Sequence, residues 1–314
     1  MRQSGVKCLA CMAAVLAVAG AITWASQPTS KPVAPGAGKN LLPEGISSAA
    51  DVYVIPIRGE INATLYDVLK YKVIKCRAAG AKLILFDMNT PGGEVMSALN
   101  ITQMIKSDLA RVRTICYVRP NAISAGAMIA VACNRLVMSE TGILGDCAPI
   151  SPGGKIEGVE REKIETVIRT EFRQSAQKNG YNEALAQSMV SADLEVWKLR
   201  HKTTGEIRYA LATDEQGKVS IPPGLAKGDS KPDSAWEVVT VVVPAGKLLT
   251  MNAAEAAELG FAAAVLPAGS DKPMAEFMTF LGLAGEPVVM GDDIATGLAL
   301  FLTHPVVTGL LVMG

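Results

Sequence analysis

Two short motifs end two apolar runs and together could perform acyl transfer. Pro91-Gly92-Gly93 comes after the run Lys82 to Asn89, and Ser124-Ala125-Gly126 follows a second run some thirty positions later. Acyl transfer needs backbone N–H donors aimed at a developing oxyanion. It also needs a nucleophile at the mouth of a helix, where orphan N–H groups and the helix dipole favour negative charge. Gly92, Gly93 and Ser124 supply those parts.

A serine is a weak nucleophile until a neighbouring base takes its proton. The chain has two histidines, His201 and His304. The first falls in an apparent insertion and the second in an apolar C-terminal run, so neither suits a Ser-His-Asp arrangement. Lysine serves instead when a dry pocket lowers its pKa from about 10.4 toward 7–8. Lys155, in a Gly-rich loop, and Lys163, beside Ile164 in the first turn of a long helix, both follow the serine at a workable distance. On spacing alone either lysine reads equally well as a solvated surface charge. Asp87 reads as capping a strand end.

The positioning elements alternate. Strands are expected at residues 52–57, 82–89, 114–119, 135–139, 237–243 and 262–266. Helices are expected at 62–79, 96–109, 125–133, 159–179, 183–191 and 253–259, the long one burying Ile164, Val167, Ile168 and Phe172. Short connections between alternating strands and helices predict an α/β fold with a mostly parallel sheet. Residues 145–158 read as a Gly/Pro-rich loop. Residues 195–236 read as an insertion, with strand-like pieces at 206–212 and 218–221 and a polar loop at 222–234.

The chain has 314 residues, 49% of them hydrophobic, and the excess sits at its ends. Residues 1–25 have the make-up of a signal peptide: Arg2 and Lys7, an apolar stretch from Leu9 to Ala21, and a small-x-small site at Thr23-Trp24-Ala25. Residues 26–50, rich in Pro, Ser, Gly and Ala, form a linker, and 269–293 a second linker or amphipathic helix. Ile294 to Gly314 contains no charged residue and is long enough for a transmembrane helix, with Thr303, His304 and Pro305 in its middle. Export and a membrane location with the main domain outside the cytoplasm follow.

Lys plus Arg equals Asp plus Glu at 30 each, and their mixing excludes a basic stripe for nucleic acid. Cys76, Cys116, Cys133 and Cys147 have no zinc-ligand spacing, and buried free thiols are the expectation for Cys116 and Cys133, with a disulfide open to an exported chain. No metal cluster, phosphate loop or dinucleotide fingerprint is present, so no cofactor is expected.

Four motifs in order carry a resemblance. They are Asn89-Thr90-Pro91-Gly92-Gly93, Ala122-Ile123-Ser124-Ala125-Gly126, Gly145-Asp146-Cys147-Ala148-Pro149, and Leu249-Thr250 ahead of Ala253-Ala254-Glu255-Ala256-Ala257-Glu258-Leu259-Gly260. Over residues 51–268 the chain resembles the NfeD-type membrane-bound serine proteases of the ClpP/crotonase superfamily. The resemblance implies a fold of repeated β-β-α units and a Ser-Lys dyad. In it Ser124 is the nucleophile, Lys163 the base, and the N–H groups of Gly93 and Ala125 the oxyanion hole, with Gly92 and Gly126 along the substrate. It implies cleavage of a hydrophobic peptide, such as the tail of a stomatin- or prohibitin-like membrane protein, and a homo-oligomer. Members carry a signal peptide, a protease domain, membrane helices and a small β-barrel, of which this sequence reads as the first two and the opening of the third. Two other readings use the same frame: a crotonase-like enolate site, and a non-catalytic scaffold for membrane-protein assembly.

Overall fold

The computed structural model of the chain describes residues 36–150, 158–212 and 235–291, with positions 302 and 307. The expected signal peptide, Lys155, the strand-like piece at 218–221 and His304 lie outside the described residues, as does the expected membrane segment at 294–314 except for those two positions. Among the described residues no helix is long and apolar enough to cross a membrane.

Two single-turn helices, Lys39–Leu41 and Ala49–Asp51, lead into an alternating series. It runs β1 (Val52–Arg58), α1 (Ala63–Ala78), β2 (Leu83–Thr90), α2 (Val95–Ser107), β3 (Arg113–Ile123), α3 (Ala125–Ala132), β4 (Arg135–Ser139) and β5 (Ile143–Gly145). Then come α4 (Gly158–Asn179), α5 (Glu183–Ser188), β6 (Val196–His201), β7 (Ile207–Leu211), β8 (Trp236–Val243), β9 (Thr250–Asn252), α6 (Ala253–Glu258), β10 (Ala262–Leu266), α7 (Pro273–Leu281) and β11 (Val288–Val289).

The main sheet has the order β10-β4-β3-β2-β1-β11, every pair parallel. β5 extends it by pairing in parallel with the far end of β3, and β9 adds the one antiparallel pairing, to β5. This is an α/β fold with a mostly parallel sheet. β2 lies at its centre, and seven of its eight residues are buried, because a sheet covered on both faces has no solvent side to alternate with.

Successive side chains therefore feed two cores. Ile55, Ile57, Phe86 and Met88 pack under α1 to α4 with Ile101, Met128 and Phe172. Val52, Val54, Leu83 and Leu85 face the other way, against Tyr117, Phe277 and Leu281. The described part of that expected second linker, residues 269–291, thus carries α7 across the second face and β11 along the sheet edge. The arm before β1 packs there too: Leu41 is buried in that core and Gly38 N–H donates to Phe280 O at 2.9 Å.

Local signals place the helix starts. Asn62 accepts from Leu65 N–H at 2.9 Å to begin α1, and Asn252 with Glu255 closes a reciprocal cap on α6. Three features differ from the sequence pattern. β5, at three residues, is too short to display a period and falls where the pattern gives loop. β8 joins β6 in a separate antiparallel sheet of order β7-β6-β8 and not the main one, because a Val-rich run shows strand without showing which sheet takes it. On α4, Val167 is exposed while Glu165, Arg169 and Glu171 are buried, since ion pairing satisfies those charges.

Candidate active site

At Ser124 β3 turns straight into α3. The serine has φ 54° and ψ −120°, a conformation costing a non-glycine residue of order 1–3 kcal/mol and typical of strand-to-helix turns that lift a nucleophile out of the sheet. Its neighbours hold it there. Ser124 N–H donates to Gly145 O at 2.9 Å, and Ser124 O accepts from Ala127 N–H at 2.9 Å. Every residue of α3 is buried, while Ser124 itself is half-exposed. The N–H groups of Ala125 and Gly126, the first two of α3, have no intrahelical carbonyl to bind.

The Gly-Gly turn closes on this serine. A Cβ at Gly92 (φ 111°) would stand 2.6 Å from Ser124 Cβ and 3.1 Å from its Oγ. Gly93 (φ 152°) passes Ile61 so closely that a Cβ would lie 2.1 Å from Ile61 O. The bridge between Ile61 and Gly93 uses Gly92 O, which accepts from Ile61 N–H at 2.8 Å, and Glu94 N–H, which donates to Ile61 O at 2.7 Å. Peptide groups alternate in direction along an extended chain, so the N–H of Gly93 itself points away from Ile61. Gly93 is exposed. Gly126 is buried, its missing side chain replaced by Thr90, whose Cγ2 would lie 2.5 Å from a Cβ there.

Beneath the serine lies Cys147. Its N–H donates to Met189 O at 2.7 Å, and the Ser124 side chain is near enough to act on the ionisation of its thiol. Burial, reinforced by the Asp146 carboxylate, pushes that thiol up to about 12, so it is a neutral partner and not a base. Cys76, Cys116 and Cys133 are also buried and free, in line with the expectation for Cys116 and Cys133.

Lys163 is a surface residue. It is exposed on α4, in a shallow open depression with Gly158, Val159, Glu162 and Thr166. Among the described residues no hydrogen bond or ion pair joins it to Ser124. The buried face of α4 is locked down: Arg169 donates to Glu165, to Ser191 and, at the edge of the Lys163 depression, to Glu162, and Arg161 binds Glu165 at 2.5 Å and Asp193 at 3.2 Å. The structure therefore gathers Gly92, Ser124, Gly145 and Cys147.

Asp87 is not a strand cap. It is buried inside β2 and gripped by Arg119, with Nε to Oδ1 and Nη2 to Oδ2 both 2.6 Å, and by Arg58, which also donates to Asp87 O. Two guanidiniums from the flanking strands satisfy the carboxylate just upstream of the Gly-Gly turn. Spacing does not reveal this, because β1, β2 and β3 meet only in the sheet. Thr90 was equally hidden, although its place before Pro91-Gly92-Gly93 was the available signal.

The architecture is that of an α/β domain with a mostly parallel sheet and a serine presented where one central strand becomes a buried helix. The chain belongs to the family described as NfeD1b, N-terminal domain, whose model matches residues 51–231. It is 28% identical over 177 residues to the membrane protein NfeD1b of Bacillus subtilis (56% of this chain, 38% of that protein). It is 30% identical over 152 residues to the membrane-bound protease PH1510 of Pyrococcus horikoshii (46% and 34%). The chain thus matches little more than a third of the length of these curated relatives. Its fold is similar to that of a lysine-to-alanine variant of the 1510-N membrane-bound stomatin-specific protease solved with a substrate peptide. The TM-score is 0.54 at 19% identity, covering 82% of this chain and 99% of that one. A serine-to-alanine variant gives 0.51 at 19%, covering 79% and 100%.

Proposed function

We propose that this chain is the catalytic part of a membrane-associated serine endopeptidase that cuts hydrophobic segments of a stomatin- or prohibitin-like membrane protein. The observation that carries the reading is the conformation of Ser124, held at positive φ at the head of a buried helix with Gly92 against it. A relative named as a membrane-bound protease, and fold relatives named as stomatin-specific, supply the reaction and substrate class.

In this mechanism Ser124 Oγ attacks the scissile carbonyl carbon while Lys163 Nζ takes its proton. The N–H groups of Gly93 and Ala125 receive the oxyanion, and Gly92 lines the bound peptide with Gly126 packed behind it. Collapse breaks the C–N bond, Lys163 returns the proton to the leaving amine, and water attacks the acyl-Ser124 ester with Lys163 again as base. An apolar segment or a neighbouring copy seated over the depression around Lys163 would shut water out of the site, which ties catalysis to docking and calls for an oligomer. Placement of the domain outside the cytoplasm at a membrane surface would raise the effective concentration of such segments.

The exposure of Lys163, with no hydrogen bond or ion pair to Ser124 among the described residues, favours a second reading, a non-catalytic scaffold for membrane-protein assembly. The test is labelling of the full chain with a fluorophosphonate, comparing wild type, Ser124→Ala and Lys163→Ala from pH 6 to 10. Loss in both variants supports the dyad. An unlabelled, folded and assembled wild type supports the scaffold, and loss in Ser124→Ala alone transfers the base to another residue, Lys155 first.

A further inference from the structure

The two halves of the site come from distant parts of the chain, and one fully buried side chain touches both. Thr90 has no solvent exposure. Its Oγ1 donates to Gly59 O at 2.6 Å, where β1 leaves the sheet, and accepts from Gly92 N–H at 3.1 Å. A hydroxyl has one proton, so the shorter contact with Gly59 O takes it and leaves the lone pairs for Gly92. Its Cγ2 fills the space left by Gly126 in the first turn of α3. The register between β2 and β3 shifts between Met88 and Thr90, which brings Thr90 opposite Ala122, two residues before Ser124. An irregularity of this kind re-aims a side chain beside a functional site.

We infer that Thr90 is the positioning residue of the oxyanion hole: its hydroxyl fixes the Gly92-Gly93 turn to the end of β1, while its methyl only packs into the space at Gly126. The inference rests on the acyl-transfer reading of Ser124. Two donors stabilise one oxyanion only at a fixed separation, and Thr90 sets it. Without the hydroxyl, Gly92 N–H and Gly59 O both lose a buried partner and the turn is free to swing away from Ser124.

The experiment measures fluorophosphonate inactivation of the full chain, separating the limiting rate constant from the concentration dependence. It compares wild type with Thr90→Val, Thr90→Ala, Thr90→Ser and Ser124→Ala, with melting temperatures alongside. Thr90→Val and Thr90→Ala, which both lack the hydroxyl, are expected to lower the limiting rate constant about tenfold or more with the half-saturating probe concentration unchanged. Thr90→Ser is expected to restore it to within about threefold, even where loss of the methyl lowers the melting temperature. Thr90→Val reacting like wild type, or Thr90→Ser falling as far as Thr90→Val, overturns the positioning role alone. A wild type with no Ser124-dependent labelling overturns the acyl-transfer reading and this inference with it.

Discussion

Gly92 and Ser124 are packed so closely that no side chain fits between them: a Cβ on Gly92 would sit 2.6 Å from that of the serine. Gly92 also has φ 111°, which L residues rarely adopt. Gly92→Ala should therefore displace the serine and strain the turn together. The expected result is loss of at least about 100-fold in labelling rate and about 1–3 kcal/mol in stability, read by probe kinetics and denaturant unfolding.

Ser124 bears strain that its chemistry would justify. Replacing it by glycine, which adopts φ 54° freely, should stabilise the fold by about 1 kcal/mol while abolishing labelling. Ser124→Ala should abolish labelling without that gain. Equal unfolding midpoints for the two variants would show that the serine backbone is not strained.

The lock on the inner face of α4 is a buried ionic cluster, with Glu165 and Arg169 at 2% and 3% exposure. Removing the Glu165 carboxylate takes away the buried partner of Arg169 and leaves the exposed Glu162 as its carboxylate contact. Glu165→Ala should cost about 3–5 kcal/mol, and Ser191→Ala, which removes one neutral partner, about 1 kcal/mol, both measured by urea unfolding. A small effect of Glu165→Ala would mean that water reaches the cluster.

Buried thiols make stability fall in alkali. Burial raises Cys147 from 9.0 to about 12 and Cys76 to about 11. The unfolded chain loses these protons near 9 while the folded chain keeps them. Stability from this source is thus complete below pH 9 and is lost as pH rises from 9 toward 12. Cys147→Ala and Cys76→Ala should each flatten the decline in unfolding midpoint across that window, and iodoacetamide should leave both thiols of the folded protein unmodified at pH 8. A decline as steep in the variants as in wild type would place its origin elsewhere.

The alternation of strand and helix from Val52 onward, the central apolar β2 and the Ser-Ala-Gly and Gly-Gly turns were legible in the sequence, because each depends on neighbours a few residues away. Period, caps and turn glycines are local. What the sequence left open depends on which distant segments meet. β5 and β9 are too short to announce themselves: β5 exists because the far end of β3 pairs with it, and β9 because β5 does. β8 could have joined either sheet until β6 took it. Asp87 and Thr90 are ordinary strand residues until parallel pairing sets arginines beside the first and Gly59, Gly92 and Gly126 around the second. Lys163 shows the limit most plainly. Its helical position was predictable, but a face rich in charge became the buried one because Ser191 and paired arginines satisfied it, and Lys163 was left on the open side. Local propensity fixed the elements, whereas long-range satisfaction of buried polar groups decided how they turn toward one another.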